Sequence, residues 1–232
     1  MLNEGADDTT IQQFTIVLGA GNIQAINATN VTGGKIFQNT ISDPAHKNST
    51  AVRYINGSNV TVHGNTISGT GWGVFFGSTA VDGSSHDNTI SNNHITGLTV
   101  GSVIGLQGNC DNNFINENTL VNNQTRSNAG VLFYSSQGLG GYCDNNVVKN
   151  NISSNGYLGA WFFNGGTNNK IGPNNTFNNN RTYGFYIDGS ATGNTIFDNT
   201  AQGNVFCDIV NQATDLLSNT FKNNTATCTQ GL

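Results

Sequence analysis

Thr89-Ile90-Ser91-Asn92-Asn93-His94-Ile95 places two short apolar-polar alternations on either side of an asparagine pair. Alternation at period two sends neighbouring side chains to opposite faces of a strand, so Ile90 and Ile95 face one way and their neighbours the other. The runs are too short for helices. The same pattern returns as Lys35-Ile36-Phe37-Gln38-Asn39-Thr40-Ile41, Thr61-Val62-His63-Gly64-Asn65-Thr66-Ile67, Thr195-Ile196-Phe197-Asp198-Asn199-Thr200-Ala201 and Thr220-Phe221-Lys222-Asn223-Asn224-Thr225-Ala226. Each unit therefore reads as two strands meeting at a bend marked by Asn.

The repeated Asn falls at Asn39, Asn65, Asn93, Asn118, Asn151, Asn175, Asn199 and Asn224, with gaps of 26, 28, 25, 33, 24, 24 and 25 residues. A period near 25 is the signature of a solenoid. Each unit also carries a second apolar run, usually opened by Gly, as in Gly73-Val74-Phe75-Phe76, Gly130-Val131-Leu132-Phe133-Tyr134, Gly159-Ala160-Trp161-Phe162-Phe163 and Gly184-Phe185-Tyr186-Ile187. Three strands per unit, stacked at about 4.8 Å per turn, make an all-β, right-handed parallel β-helix of about eight coils. Gly, Asn and Thr throughout each unit exclude helical repeats. No composition break divides the chain, so residues 1–232 are read as a single domain, with 1–34 as a first, irregular coil and 118–151 as a coil carrying a loop insertion around Ser135–Gly141.

Composition agrees. The chain has 40 Asn, 30 Gly, 2 Pro and only 9% charged residues, far from average usage. An Asn at a bend tolerates left-handed backbone angles, and its amide both donates and accepts, so stacked copies form a ladder. The net charge of −5, without basic runs, argues against a nucleic-acid partner, and no apolar stretch is long enough for membrane insertion.

The elements Asn88-Thr89-Ile90-Ser91-Asn92-Asn93, Asn194-Thr195-Ile196 and Gly-apolar-x-apolar resemble the NosD-like family of β-helix repeats, relatives of the pectate-lyase superfamily sometimes grouped as carbohydrate-binding and sugar-hydrolysing domains. The resemblance covers roughly residues 22–232. It implies a secreted, periplasmic or cell-surface protein acting near polysaccharides, and it transfers no catalytic residues. Gly-His-Gly, Arg-x-Lys and the clustered Asp pairs of polygalacturonases are missing from the sequence.

Cys110 in Cys110-Asp111-Asn112-Asn113 and Cys143 in Cys143-Asp144-Asn145-Asn146 occupy one place in consecutive coils. Stacking brings their Cα atoms near the ~5.5 Å that a disulfide needs. Cys207 and Cys228 form a second candidate pair in the last two coils. Two disulfides imply an oxidising compartment, with buried unpaired Cys as the alternative. The four His (His46, His63, His86, His94) are not spaced as a ligand set, no Cys-x-x-Cys is present, and neither metal nor cofactor is expected.

Read in register, the second apolar run gives an inward column (Val52, Val74, Val131, Ala160, Phe185) and an outward one (Arg53, Phe75, Val103, Leu132, Trp161, Tyr186), flanked two positions on by Ile55, Tyr134, Phe163 and Asp188. An exposed aromatic track of this size meets a partner. Sugar rings stack on aromatics, so a polysaccharide bound along Arg53, Phe75, Leu132, Tyr134, Trp161, Phe163 and Tyr186 is one reading. A structural or adhesive solenoid making contacts with a protein partner, or associating with itself, is the other. Glycoside hydrolase or lyase activity is a third reading, and its candidate carboxylates are Asp111, Asp144 and Asp188. Hydrolysis wants two carboxylates about 5 to 10 Å apart beside the sugar. Asp before Asn-Asn is equally an ordinary turn residue capping its own backbone. The Thr column (Thr40, Thr66, Thr119, Thr176, Thr200, Thr225) lacks the second regular row expected of an ice-binding face.

Overall fold

A computed structural model describes residues 6–19, 24–45, 49–78, 83–121, 129–135 and 141–232. His46 and residues 136–140 of the expected insertion lie outside the described residues. Among the described residues the chain forms a parallel β-helix of three sheets, each of nine strands, in which every strand pairs with its counterpart one coil away. The first two sheets consist of two- and three-residue strands, such as Thr89–Ser91 and His94–Thr96. The third holds longer strands: Thr50–Ile55, Trp72–Gly77, Ile104–Gln107, Ala129–Tyr134, Leu158–Phe163, Tyr183–Gly189 and Cys207–Ala213 among them.

Nine strands per sheet mean one rung more than the asparagine column counts. The extra rung lies within the segment expected to be irregular. Thr10–Gln12, Thr15–Val17 and Gln24–Thr29 pair in register with the next coil, Thr10 on Lys35, Thr15 on Thr40 and Gln24 on Thr50. Sequence comparison loses this rung because Phe14 stands where later coils have Asn; its amide N–H still donates to Asn39 Oδ1 at 3.0 Å.

The interior is a set of stacked columns. Ile36, Val62, Ile90, Ile115 and Val148 fill the first sheet's inner face, and Ile41, Ile67, Ile95 and Leu120 the second's, all essentially without solvent exposure. Along the third sheet, Phe133 and Phe162 stack with centroids 4.3 Å apart, as do Tyr54 and Phe76 at 5.4 Å. Burial pushes the Tyr54 phenol up to about 12, which keeps it neutral.

The asparagine ladder runs through the bend between the first two sheets. Asn118 is typical: its Nδ2 donates to Asn151 Oδ1 at 2.9 Å and to the Ile90 carbonyl at 2.9 Å, while its Oδ1 accepts both the amide N–H (3.0 Å) and Nδ2 (2.9 Å) of Asn93. These bonds satisfy main-chain groups that no strand reaches. The left-handed residue is not the ladder Asn. It is the residue before it: Gln38, Gly64, Asn92, Glu117, Asn150, Asn174, Asp198 and Asn223 have φ between 51° and 66°. The ladder position thus selects Asn for its amide, and the bend is made one residue earlier, where Gln38, Glu117 and Asp198 accept the cost of roughly 1–2 kcal/mol. A second ladder, Asn88, Asn113, Asn146, Asn169, Asn194 and Asn219, runs ahead of the first sheet with the same bonding.

Cys207 and Cys228 form a disulfide, with Cα atoms 5.0 Å apart. Cys110 and Cys143 do not; both are buried free thiols, contrary to the pairing expected from their stacking. Consecutive coils do bring them together, but each spends its S–H on a main-chain carbonyl. Cys110 Sγ donates to Gln107 O at 3.1 Å and Cys143 Sγ to Gly108 O at 3.5 Å. Burial, reinforced by Cys110, raises the Cys143 thiol well above its ordinary value, so the thiolate that would attack a disulfide is disfavoured.

Candidate functional site

The third sheet is built from longer strands than the other two, and alternation along them sets the site. Val52, Val74, Ile104, Val131, Ala160 and Phe185 point into the core. Their neighbours point out, and Arg53, Phe75, Leu132, Trp161 and Tyr186 are half-buried on the outer face, with Tyr134 and Phe163 beside them. The register corrects one member of this outward column. Val103 is fully buried, and Gly105 pairs with Phe75 on one side and Leu132 on the other. The strand Ile104–Gln107 starts later than its sequence pattern implies, so the outer column has a gap where a side chain was expected.

That gap is the central feature of the face. Gly105 and Leu106 floor a cleft of about 320 Å³, walled by Trp72 and Phe75 on one side and by Leu132, Tyr134, Trp161 and Phe163 on the other, with Gln107 at its end. Phe75 and Leu132 stand two rungs apart, about 10 Å between backbones, with Trp161 and Phe163 one rung further on. They are braced by ring contacts. Trp72 meets Phe75 edge-on at 5.7 Å, Tyr134 stacks on Phe163 at 5.0 Å, and Trp161 meets Phe163 edge-on at 4.8 Å. Trp72 lies against Gly101, where a Cβ would strike the indole at 1.9 Å. A smaller hollow of about 220 Å³, lined by Tyr157, Leu158, Trp161, Tyr183 and Tyr186, continues the track, so Trp161 borders both.

Polar groups on this face are few. Neither the Gln107 amide nor the Tyr134 hydroxyl has a hydrogen-bond partner among the described residues. Asp188 Oδ2 accepts from Trp161 Nε1 at 3.3 Å and its Oδ1 from the Asn164 amide at 3.1 Å, which fixes the indole plane. Burial raises the Asp188 carboxyl above its ordinary value, against the opposing pull of those two donors. Tyr186 donates to Gln212 Oε1 at 2.7 Å. Arg53, at the opposite end of the column, donates from Nη1 to Asn27 Oδ1 at 3.0 Å.

Asp111 and Asp144 lie elsewhere, in the turns leading from the third sheet to the first. They do neighbour each other, but each carboxylate reaches the next coil and not its own backbone. Asp111 Oδ1 accepts the Asp144 amide at 3.0 Å, and Asp144 Oδ1 accepts the Thr167 amide. Burial, with like charge from Asp144, raises the Asp111 carboxyl despite that bond. The three candidate carboxylates are thus not gathered around one space, and no Asp, Glu or His is among the described residues lining the cleft. The feature that sequence reading missed is Gly105. Its only signal was a Gly inside an apolar run, which marks close approach or a missing side chain.

Three stacked sheets, an asparagine ladder and an aromatic outer face define a parallel β-helix repeat protein. The chain belongs to the NosD family, described as periplasmic copper-binding protein, whose model matches residues 2–183. It is accordingly placed in the periplasm, and among the described residues no helix is long and apolar enough to cross a membrane. No curated protein sequence matches the chain. Among solved structures, the periplasmic alginate epimerase AlgG aligns with a TM-score of 0.51 at 15% identity, over 84% of this chain and 49% of that one. A double mutant and a single mutant of the same protein align at TM-scores of 0.47 and 0.44, with 15% and 12% identity, over 90% and 88% of this chain and 62% and 60% of theirs. The likeness shows the fold, and the chain spans about half the length of the first of these structures.

Proposed function

We propose that this protein is a periplasmic glycan-binding β-helix whose principal subsite is the cleft over Gly105. The observation that carries the reading is a gap of one side chain in the outer column between Phe75 and Leu132, with Trp72 beside the first and Tyr134, Trp161 and Phe163 around the second. A pyranose ring is flat-sided, with apolar C–H faces and a polar edge. Facing walls about 10 Å apart between backbones leave room for one such ring between side chains. The unpartnered Gln107 amide and Tyr134 hydroxyl supply a donor and an acceptor for ring hydroxyls. AlgG, an alginate epimerase, acts on a polysaccharide, and this supports a glycan reading of a shared fold without supplying residues for it.

The described lining has no carboxylate, so the carboxylate pair that glycoside hydrolysis uses is not at the cleft, and the reading is one of binding. For the copper named in the family description, no group of three or more His, Cys, Asp or Glu stands together among the described residues. His63 Nδ1 is engaged with Ser91 at 2.9 Å and His86 Nδ1 with Asp87 at 2.7 Å.

The test is calorimetric titration of the full chain with a panel of defined oligosaccharides, alongside Trp161→Ala and Gly105→Leu. A Cβ at Gly105 would sit 3.4 Å from Phe75 Cδ2 and 3.7 Å from Trp72 Cζ3, ordinary contact, so the backbone accepts a side chain there, and the Gly105→Leu variant, with its fold checked by circular dichroism, places that side chain in the cleft. Saturable binding by the wild type, lost in both variants, is the expected result. Binding that survives Gly105→Leu removes the cleft as the site, and absence of binding across the panel favours a protein contact on this face.

A further inference from the structure

We infer that the cleft selects uncharged sugars and discriminates against uronates and other anionic glycans; this deepens the glycan reading and rests on it. None of the described residues lining the cleft or the hollow beyond Trp161 is Lys, Arg or His. The described lysines, Lys35, Lys149, Lys170 and Lys222, all lie on strands of the first sheet, around the bend from the aromatic face. Arg181 stands in the turn ahead of Tyr183–Gly189, off the lining, and Arg53 is two rungs from Gly105 with its guanidinium on Asn27.

The titratable group beside the track is a carboxyl and not a cation. Asp188 is held against the Trp161 indole, on the edge that both hollows share. A sugar carboxylate in the cleft would lose water without gaining a cation among the described lining residues, and it would do so near the Asp188 carboxyl on a chain of net charge −5. A neutral ring pays neither cost. Its hydroxyls need a donor and an acceptor of no net charge, and the Gln107 amide is one group that provides both.

The experiment titrates the full chain with neutral hexasaccharides (β-glucan, mannan and N-acetylglucosamine oligomers) and with uronate oligomers of equal length, at low and at near-physiological salt. A neutral oligomer is expected to bind at least about tenfold more tightly than any uronate, a difference of ~1.4 kcal/mol. Its affinity is expected to be unchanged by salt. Uronate affinity is expected to rise with added salt, which screens the repulsion, and to rise again in Asp188→Asn. A uronate that binds as tightly as the neutral oligomers, or more weakly as salt is added, overturns the inference and leaves the glycan reading standing. Failure of every oligomer to bind the wild type, or binding indifferent to Gly105→Leu, overturns the glycan reading itself.

Discussion

The bend between the first two sheets and the outer face of the third are built on opposite logics. At the bend every rung repeats the one before. Asn39 to Asn224 make the same bonds coil after coil, and the exchange of any one breaks a chain of partners. On the outer face successive rungs differ: Arg53, Phe75, Gly105, Leu132, Trp161 and Tyr186 occupy one column and no two are alike. Repetition serves stability, because each rung needs the same main-chain groups satisfied. Recognition needs a shape that occurs once, and the cleft exists because one rung omits a side chain its neighbours have.

The largest effect is expected where the repeat is broken at its middle. Asn118→Ala leaves the amide N–H of Asn93 without its acceptor, leaves Asn93 Nδ2 with the Val62 carbonyl as its one remaining acceptor, and frees the Ile90 carbonyl, all buried. Several orphaned groups at about 1–3 kcal/mol each amount to about 4 kcal/mol, read as a shift in the denaturant midpoint. Trp161→Ala makes the complementary change. The indole is half-buried and its loss costs about 1–2 kcal/mol of stability, while glycan binding is expected to disappear. If Asn118→Ala were the milder of the two in unfolding, the ladder would not be the element that carries the fold.

The two cysteine pairs sharpen the same contrast. Removing Cys207–Cys228, which closes a loop of sequence separation 21, is expected to lower stability by about 3 kcal/mol through the unfolded chain's added freedom. Cys110 and Cys143 are expected to be silent to a thiol reagent in the native protein and to give two thiols after unfolding without reductant. Fewer than two would show that the stacked pair is oxidised after all.

What the sequence made legible follows from this division. The ladder, the three-strand rung and the inward column were readable because each residue recurs at a near-constant period. The outward aromatic column was readable too, through Trp161, Leu132 and Tyr186, but its register was not. Val103 and Gly105 lie two residues apart on the same alternating face, and only pairing of Gly105 with Phe75 and Leu132 decides which occupies the column. A single unrepeated gap has no period to reveal it. Cys110 and Cys143 show the same limit, since stacking places two backbones side by side and leaves the direction of each S–H to its nearest carbonyl. The second ladder stood in the open in Asn88-Thr89-Ile90 and Asn194-Thr195-Ile196, which served as a family likeness without being followed as a column.

The smallest expected effect separates two aspartates that both serve the main chain. Asp208 accepts from Asn204, from the Thr227 amide and hydroxyl, and from the Cys228 amide; burial alone would raise its carboxyl, but these donors outweigh it and hold it below the ordinary value. Asp111 has one main-chain donor, and burial wins, raising it. The signs are therefore opposite. Asp208 contributes stability that is present above the ordinary carboxylate range, near pH 4, and is lost as pH falls through its lowered folded value. Asp111 binds its proton more readily folded than unfolded, so its contribution declines as pH rises from near 4 through its raised folded value. Asp111→Asn keeps an oxygen for the Asp144 amide and removes that decline. It is expected to match the wild type in acid and to exceed it by about 0.5 kcal/mol at neutral pH, whereas Asp208→Asn falls below the wild type at neutral pH and approaches it in acid. Denaturant midpoints for the three proteins across this range decide the matter, and parallel curves for Asp111→Asn and the wild type would mean that the Asp111 carboxyl is as well solvated in its turn as in the unfolded chain.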